Sequence, residues 1–468
     1  MNAKKVKVTV FLLLIMQNLW LDVSAQQTKI AVQKLHQDVE FYFSTIQKVH
    51  PDPYAFASFQ KVDSVKQQII ADIVQPLRRI EFAVKMELEA NSLFDNHTKM
   101  HYIFHNPLRI DEFYNSHLFP WDIDVVENKL YLINQHGKQE IITINQQSTE
   151  EVMADLNKVF SADISEENKQ TKIKHFFPLY YDLCYHKQNN SHFTITLQDI
   201  YGNITDLSKE GKGKQEVKEK IIANMAYTTQ TTEDYQLGFY EDSIAVLTVN
   251  TFSYSDNSDY ISFLDNSFKT IAEKSCKYLF IDIKNNGGGS SQNAFYLLDY
   301  LFDDDYKIFG YITLKRKSAA YIKEYGIEEG QKKRYKKGEN IIDYGFFERI
   351  REVQHPYTKT LFLLQSNETA SAALDMSIAI KSSRRGIVLG TPTEEPACSF
   401  SQAIVFTLPN TKLTFQSATG FFINPSGSHD IQWIQPDIMV DVDTTAITNS
   451  TLNSWIALAK KLYLGFFK

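Results

Sequence analysis

The sequence predicts an α/β domain preceded by a helical unit and a small β-rich unit, and three observations lead there. From Phe239 onward, short apolar, β-branched runs alternate with helical stretches, the pattern of a largely parallel sheet covered by helices. Near the start, apolar residues recur at three- and four-residue spacing, which marks one buried helical face. Between these regions lie short strand-like runs separated by turn residues.

The opening residues are an address label. Lys4, Lys5 and Lys7 precede an apolar run from Val10 to Leu21, broken only at Gln17 and Asn18, and Val23-Ser24-Ala25 supplies small residues for cleavage. The run is shorter than the roughly 20 residues of a membrane span. A signal peptide is therefore expected over 1–25, with a mature chain starting near Gln26, no integral membrane span after its removal, and a periplasmic or extracellular location. No Cys follows the run, so no lipid anchor is indicated.

Residues 26–110 are expected to be helical. Val32, Leu35, Val39, Phe43 and Ile46 share one helical face, His50-Pro51-Asp52-Pro53 breaks it, and Val62–Ile73 and Ile80–Leu93 continue beyond. Residues 119–207 carry strand-like runs at Asp122–Val126, Leu130–Ile133, Glu140–Ile144 and Phe193–Leu197, a turn at His136-Gly137 and a helical stretch at Glu150–Phe160. Residues 208–235 open with Lys209, Lys212, Lys214, Lys218 and Lys220 among glutamates and are expected to form a solvated linker. The α/β region, 236–445, contains strand-like runs at Ile244–Val249, Tyr278–Ile283, Lys307–Leu314, Thr360–Leu364 and Ile387–Leu389. A Lys- and Tyr-rich insertion, 315–356, interrupts it, and 446–468 is expected to form a terminal helix.

Composition narrows the function classes. An apolar fraction of 43% with 22% charged residues is that of a globular protein with ordinary cores, and a net charge of −7 argues against nucleic acid as a partner. Cys184, Cys276 and Cys398 are odd in number and widely spaced, which excludes a disulfide-stapled scaffold and leaves no zinc spacing. No metal or cofactor is expected, and nothing in the sequence indicates an oligomeric state.

Two strand-to-helix junctions carry the chemistry. In the first, Tyr278–Ile283 runs into Lys284-Asn285-Asn286-Gly287-Gly288-Gly289, where missing Cβ atoms admit close approach and amide N–H groups precede a helix. The fit is to a developing oxyanion or simply to a tight turn; neither nucleotide-loop pattern, G-x-G-x-x-G or G-x-x-x-x-G-K-[ST], is present. In the second, Thr360–Leu364 leads through Gln365-Ser366-Asn367-Glu368-Thr369-Ala370 to Ser371 at the head of a helical stretch, Ala372–Lys381. Ser371 there is either an N-cap or an exposed nucleophile beside the Ala372 amide.

Taken together, the junctions resemble the tail-specific (C-terminal processing) serine proteases of peptidase family S41. Asp282-Ile283-Lys284-Asn285-Asn286-Gly287-Gly288-Gly289 resembles their D-[IL]-R-x-N-x-G-G signature, and Thr369-Ala370-Ser371-Ala372-Ala373 their nucleophile segment. Gly386–Thr393 and Asp430–Asp437 resemble the following family elements, in family order. The resemblance implies a ClpP/crotonase-like catalytic core behind a small PDZ-like unit, a peptide or protein substrate, and Ser371 as nucleophile. Gly288 and Ala372 would be the oxyanion donors. The best-known members pair serine with a lysine about 25 residues later, but Glu394-Glu395-Pro396-Ala397-Cys398 offers none. Phe94-Asp95-Asn96-His97-Thr98 resembles the D-G-H-T stretch of the tricorn-like Ser/His branch, which implies His97 as base, with Asn96 as possible support. Asp430 falls where those relatives place a supporting acid; His429 is a rival base, and His101 is not read as one. The alternative class is a non-catalytic peptide- or ligand-binding protein that retains the fold, and a third is an esterase-like hydrolase.

Overall fold

In the computed structural model the described residues are 29–100, 116–134, 137–185, 191–228, 233–241, 243–254, 256–314, 341–342, 351–393, 395–426, 432–442 and 445–463. The expected signal peptide, most of the 315–356 insertion, the turn residue His136, and His101, His429 and Asp430 lie outside them. The chain divides into two compact units. The first comprises 1–162, 169–221 and 403–418, and the second 163–168, 222–402 and 419–468.

In the first unit, helices α1 (Val32–Val49), α2 (Phe59–Asp72) and α3 (Arg79–Ala90) form where the apolar spacing predicts them. Leu35, Val39, Phe43 and Ile46 of α1 are buried. The β-rich part is an antiparallel sheet of β1 (Ile123–Val126), β2 (Lys129–Asn134), β3 (Gly137–Ile144), β4 (His192–Gln198) and β5 (Ile204–Glu210), ordered β5-β4-β3-β2-β1. Helices α4 (Thr149–Asn157) and α5 (Glu166–Tyr185) accompany it. Edge-on ring contacts of Phe119 with Phe177 and Phe193 knit the region around α5 and β4.

The charged segment expected as a linker is instead regular structure. Ser208–Glu210 completes β5, Lys212–Gly213 pairs with His117–Leu118, and Lys214 opens helix α6 (Lys214–Thr228). Every residue of β5 is exposed, so the charge reflects a solvated face and not an absence of structure. A late piece of chain completes this unit: strands Ile404–Thr407 and Thr414–Ser417 pair with each other, and the second pairs with Lys99–Met100. Asp38 of α1, fully buried, accepts the backbone N–H groups of Asn410 and Thr411 at 2.9 and 2.7 Å.

The second unit is the α/β core. Strands β6 (Tyr235–Tyr240), β7 (Ile244–Val249), β8 (Tyr278–Asp282), β9 (Thr360–Gln365), β10 (Ile387–Gly390) and β11 (Ile438–Met439) form one sheet in chain order. Only β6 runs antiparallel to its neighbour. Helices α7 (Ser258–Glu273), α8 (Ser291–Leu298) and α9 (Ala372–Ser382) contribute to the core on one face, through Leu264, Leu297 and Met376 among others. Helix α10 (Asn449–Leu462) covers the other through Leu452, Trp455 and Ile456.

The run Lys307–Leu314 does not join this sheet. Its ordered strand, Tyr311–Leu314, pairs antiparallel with Gly420–Ile423 and Ile341–Ile342 in a separate four-stranded sheet. Burial explains the difference. β7 and β9 are buried at every position, as a strand covered on both faces must be, whereas Tyr311–Leu314 alternates and is covered on one.

Candidate active site

Because β8 and β9 are adjacent and parallel, with Asp282 opposite Leu364, the two junctions leave the sheet side by side. Asn286 ties them together. Its Nδ2 donates to the Val249 carbonyl at the end of β7 (3.0 Å), and its own carbonyl accepts the Ala370 N–H (3.2 Å). Two more bonds cross the gap: Ser366 Oγ donates to the Lys284 carbonyl at 2.5 Å and Thr369 Oγ1 to the Ile283 carbonyl at 3.1 Å. Below them the Lys284 ammonium lies 3.5 Å from the carboxylate of Asp282, whose pKa burial raises against the pull of that cation.

The glycines allow the close approach that their sequence suggests. Gly288 takes φ +99°, and a methyl group there would lie 2.6 Å from Ser371 Cβ, 2.8 Å from the Ala370 carbonyl oxygen and 3.1 Å from the Ala372 nitrogen. No side chain fits. The Gly288 N–H donates to Asn286 Oδ1 at 2.9 Å. Gly289, at φ +134°, stacks on the Phe252 backbone, whose N–H reaches the Gly288 carbonyl at 2.9 Å.

Ser371 heads α9 in an unusual conformation, φ 51° and ψ −122°, and its residue is exposed. An L-residue there stores roughly 1–3 kcal/mol that its surroundings must offset. Its side chain makes no N-cap hydrogen bond to α9. Its N–H donates to Glu395 Oε2 at 3.1 Å, a contact between residues 24 apart that sequence reasoning missed. Asp375, one turn into α9, accepts the Ser291 hydroxyl at 3.0 Å. Burial pushes its pKa up to about 7, opposed by that hydrogen bond and reinforced by the nearby Glu395 carboxylate.

The histidine turn belongs to the first unit. Asp95 is fully buried there, and its Oδ1 accepts the His97 N–H at 2.9 Å, closing a two-residue turn. Its Oδ2 lies 2.8 Å from Nε2 of His50, itself 1% exposed. His50 Nδ1 accepts the Asp52 N–H at 3.1 Å, so Nε2 carries the hydrogen and donates it to Asp95. Burial works against the Asp95 charge, but the His50 hydrogen bond, the electrostatic pull of the His50 and His97 rings, and the Thr98 hydroxyl hold its carboxyl below the usual range. The Ala418 N–H donates to Thr98 Oγ1 at 3.0 Å, and Gln416 donates to the Asn96 carbonyl at 3.3 Å. The Asn96 side chain accepts from Lys99.

Of the residues singled out in the sequence, Ser371, Ala372 and Gly288 are thus brought together in the second unit. His97 and Asn96 are held in the first, and Asp430 lies outside the described residues. The His-Pro-Asp-Pro break had a signal for His50; Glu395 had none beyond its carboxylate.

Comparison with known proteins places this geometry. Among curated proteins, none matches the chain in sequence. In structure the chain is similar to mature CPAF, with a TM-score of 0.58 at 13% identity, covering 93% of this chain and 98% of that one. It is similar also to mature CPAF complexed with lactacystin, with a TM-score of 0.56 at 13% identity, covering 93% of this chain and 99% of that one. These likenesses are of fold. Residues 243–440, which hold Gly288, Ser371 and Glu395, match the family model of Peptidase family S41.

Proposed function

We propose that the protein is an exported serine peptidase that hydrolyses peptide bonds through an acyl-enzyme on Ser371. The observation that carries the reading is the strained, exposed Ser371 with the side-chain-free backbone of Gly288 packed against it. In this mechanism Ser371 Oγ attacks the scissile carbonyl carbon while His97, as general base, takes the hydroxyl proton. The N–H groups of Gly288 and Ala372 receive the oxyanion, the Gly288 amide exchanging Asn286 Oδ1 for the substrate oxygen. The C–N bond then breaks, His97 protonates the leaving amine, and water attacks the ester to regenerate Ser371. Asp430 acts as the acid that orients His97, with Asn96 in support. The match of residues 243–440 to a peptidase family model supports a peptide substrate, and the basic, apolar and small-residue pattern of 1–25 supports export.

A fluorophosphonate probe tests the reading. Wild type should be labelled at one site and Ser371→Ala should not; equal labelling of the two would remove Ser371 from the mechanism. An unlabelled, folded wild type would favour the peptide-binding alternative. Export is checked by the N-terminal mass of the secreted chain, expected to begin near Gln26.

A further inference from the structure

We propose that Glu395 is a positioning residue for the nucleophile, holding Ser371 in its reactive backbone conformation by accepting its N–H. The proposal rests on Ser371 acting as the nucleophile. A residue at φ 51° and ψ −122° relaxes toward ordinary dihedrals unless something fixes its peptide. On one side of Ser371 the fixing group is Asn286, which accepts the Ala370 N–H. On the other it is the Glu395 carboxylate, 3.1 Å from the Ser371 nitrogen and 8% exposed. A carboxylate acceptor holds an amide more firmly than a neutral one does, so the hydroxyl direction is set by a group outside the nucleophile's own turn.

The loop carrying Glu395 is built to deliver it. Thr393 Oγ1 donates to the Glu395 carbonyl at 2.8 Å and accepts the Ile434 N–H at 3.2 Å, while the Thr393 N–H reaches the Ile434 carbonyl. The Ala397 N–H donates to the Gln432 carbonyl at 2.8 Å. Gln365, at the end of β9, binds both strands of this frame through Nε2, to the carbonyls of Thr391 at 2.9 Å and Ile434 at 2.7 Å. The same strand that leads to Ser371 therefore anchors the loop that supplies its carboxylate. Six hydrogen bonds converge on placing one side chain.

The test uses the full-length mature chain, with two variants and two readouts. Glu395→Gln keeps an acceptor oxygen without the charge, and Glu395→Ala removes it. The second-order rate of fluorophosphonate labelling should fall about tenfold or more in Glu395→Ala, with peptide KM unchanged, and recover to within about threefold of wild type in Glu395→Gln. Hydrogen exchange at the Ser371 amide, read by mass spectrometry of peptides overlapping there, should accelerate in Glu395→Ala and not in Glu395→Gln. Wild-type labelling in Glu395→Ala would overturn the proposal, as would an equal loss in both variants. If Glu395→Ala fails to fold, Glu395→Gln decides alone: wild-type labelling and exchange support the acceptor role, and a tenfold loss overturns it. A wild type that the probe never labels defeats the peptidase reading instead, a failure that amide exchange separates from this one.

Discussion

The serine turn and the histidine turn solve one problem by different means. In each, the backbone N–H of the residue proposed for chemistry is accepted by a buried carboxylate: Ser371 by Glu395 at 3.1 Å, His97 by Asp95 at 2.9 Å. Asp95 sits two residues before its histidine, so that contact closes locally, while His50, 45 residues away in the chain, takes the other oxygen. Glu395 is 24 residues from its serine and depends on a frame of backbone bonds to arrive. The electrostatics diverge as well. Asp95 faces a histidine and is held ionised, whereas Asp375, beside Glu395, faces another acid and is pushed up to about 7. The first turn closes on its own aspartate and is braced by His50, Gln416 and Ala418; the second inherits its precision from the α/β core.

That contrast can be broken at several points. The largest effect is expected from Ser371→Ala, which should abolish probe labelling and lower kcat by at least about a thousandfold. Its thermal midpoint should stay within a few degrees of wild type, because the side chain caps nothing; a midpoint that collapses with activity would recast Ser371 as structural. Next comes His97→Ala. As a general base it should contribute about 10²–10⁴-fold to kcat, measured in steady state with a fluorogenic peptide, and wild-type turnover would pass the role to another group.

Gly288→Ala should act on both properties. A methyl 2.6 Å from Ser371 Cβ, on a backbone at φ +99°, should cost about 1–3 kcal/mol by denaturant unfolding and slow labelling about tenfold or more. An alanine variant of wild-type activity would show that the two junctions need not touch.

The smallest effects concern the two carboxyl groups and have opposite signs. Asp95 has a lowered folded pKa, so its stabilisation is present above the unfolded value of about 4 and is lost as pH falls through the folded one. Asp95→Asn should therefore lower the midpoint at pH 7 and matter less at pH 3. Asp375 has a raised folded pKa of about 7, so the unfolded state holds fewer protons across the interval from about pH 4 to pH 7, and stability declines there as pH rises. Asp375→Asn should raise the midpoint by a few degrees at pH 8 and leave it unchanged at pH 4. Parallel pH curves for the two variants would erase the distinction between the turns.

Which of these features could be read in advance follows from their range. Leu35, Val39, Phe43 and Ile46 are legible because helical burial repeats every three to four residues, and the all-buried runs at Ile244 and Thr360 because a doubly covered strand is continuously apolar. Ser371, Ala372 and Gly288 are legible only because the two junctions together resemble known peptidase motifs; each junction alone fits an N-cap or a tight turn as well. Glu395 is not, since its partner is set by a loop path that no spacing encodes. Nor is the antiparallel pairing of Tyr311–Leu314, which depends on chain more than 100 residues later. Nor is the burial of Asp38, whose partners, the amides of Asn410 and Thr411, lie 372 and 373 residues away in the chain.

Those amides have a consequence for how the chain is made. Synthesis runs from the amino end, yet the first unit needs residues 403–418: strand Thr414–Ser417 beside Lys99–Met100, Phe415 against Tyr42, and the Asp38 acceptor filled. On the ribosome, a nascent chain stopped at residue 221 carries a buried-type aspartate with nothing to receive and an open strand edge. The helical region must wait, incomplete and exposed to chaperones and proteases, until the α/β core has largely emerged. A fragment ending at 221 should therefore be recovered as an aggregate or a proteolytic ladder, and a peptide covering 403–418 added in trans should rescue it.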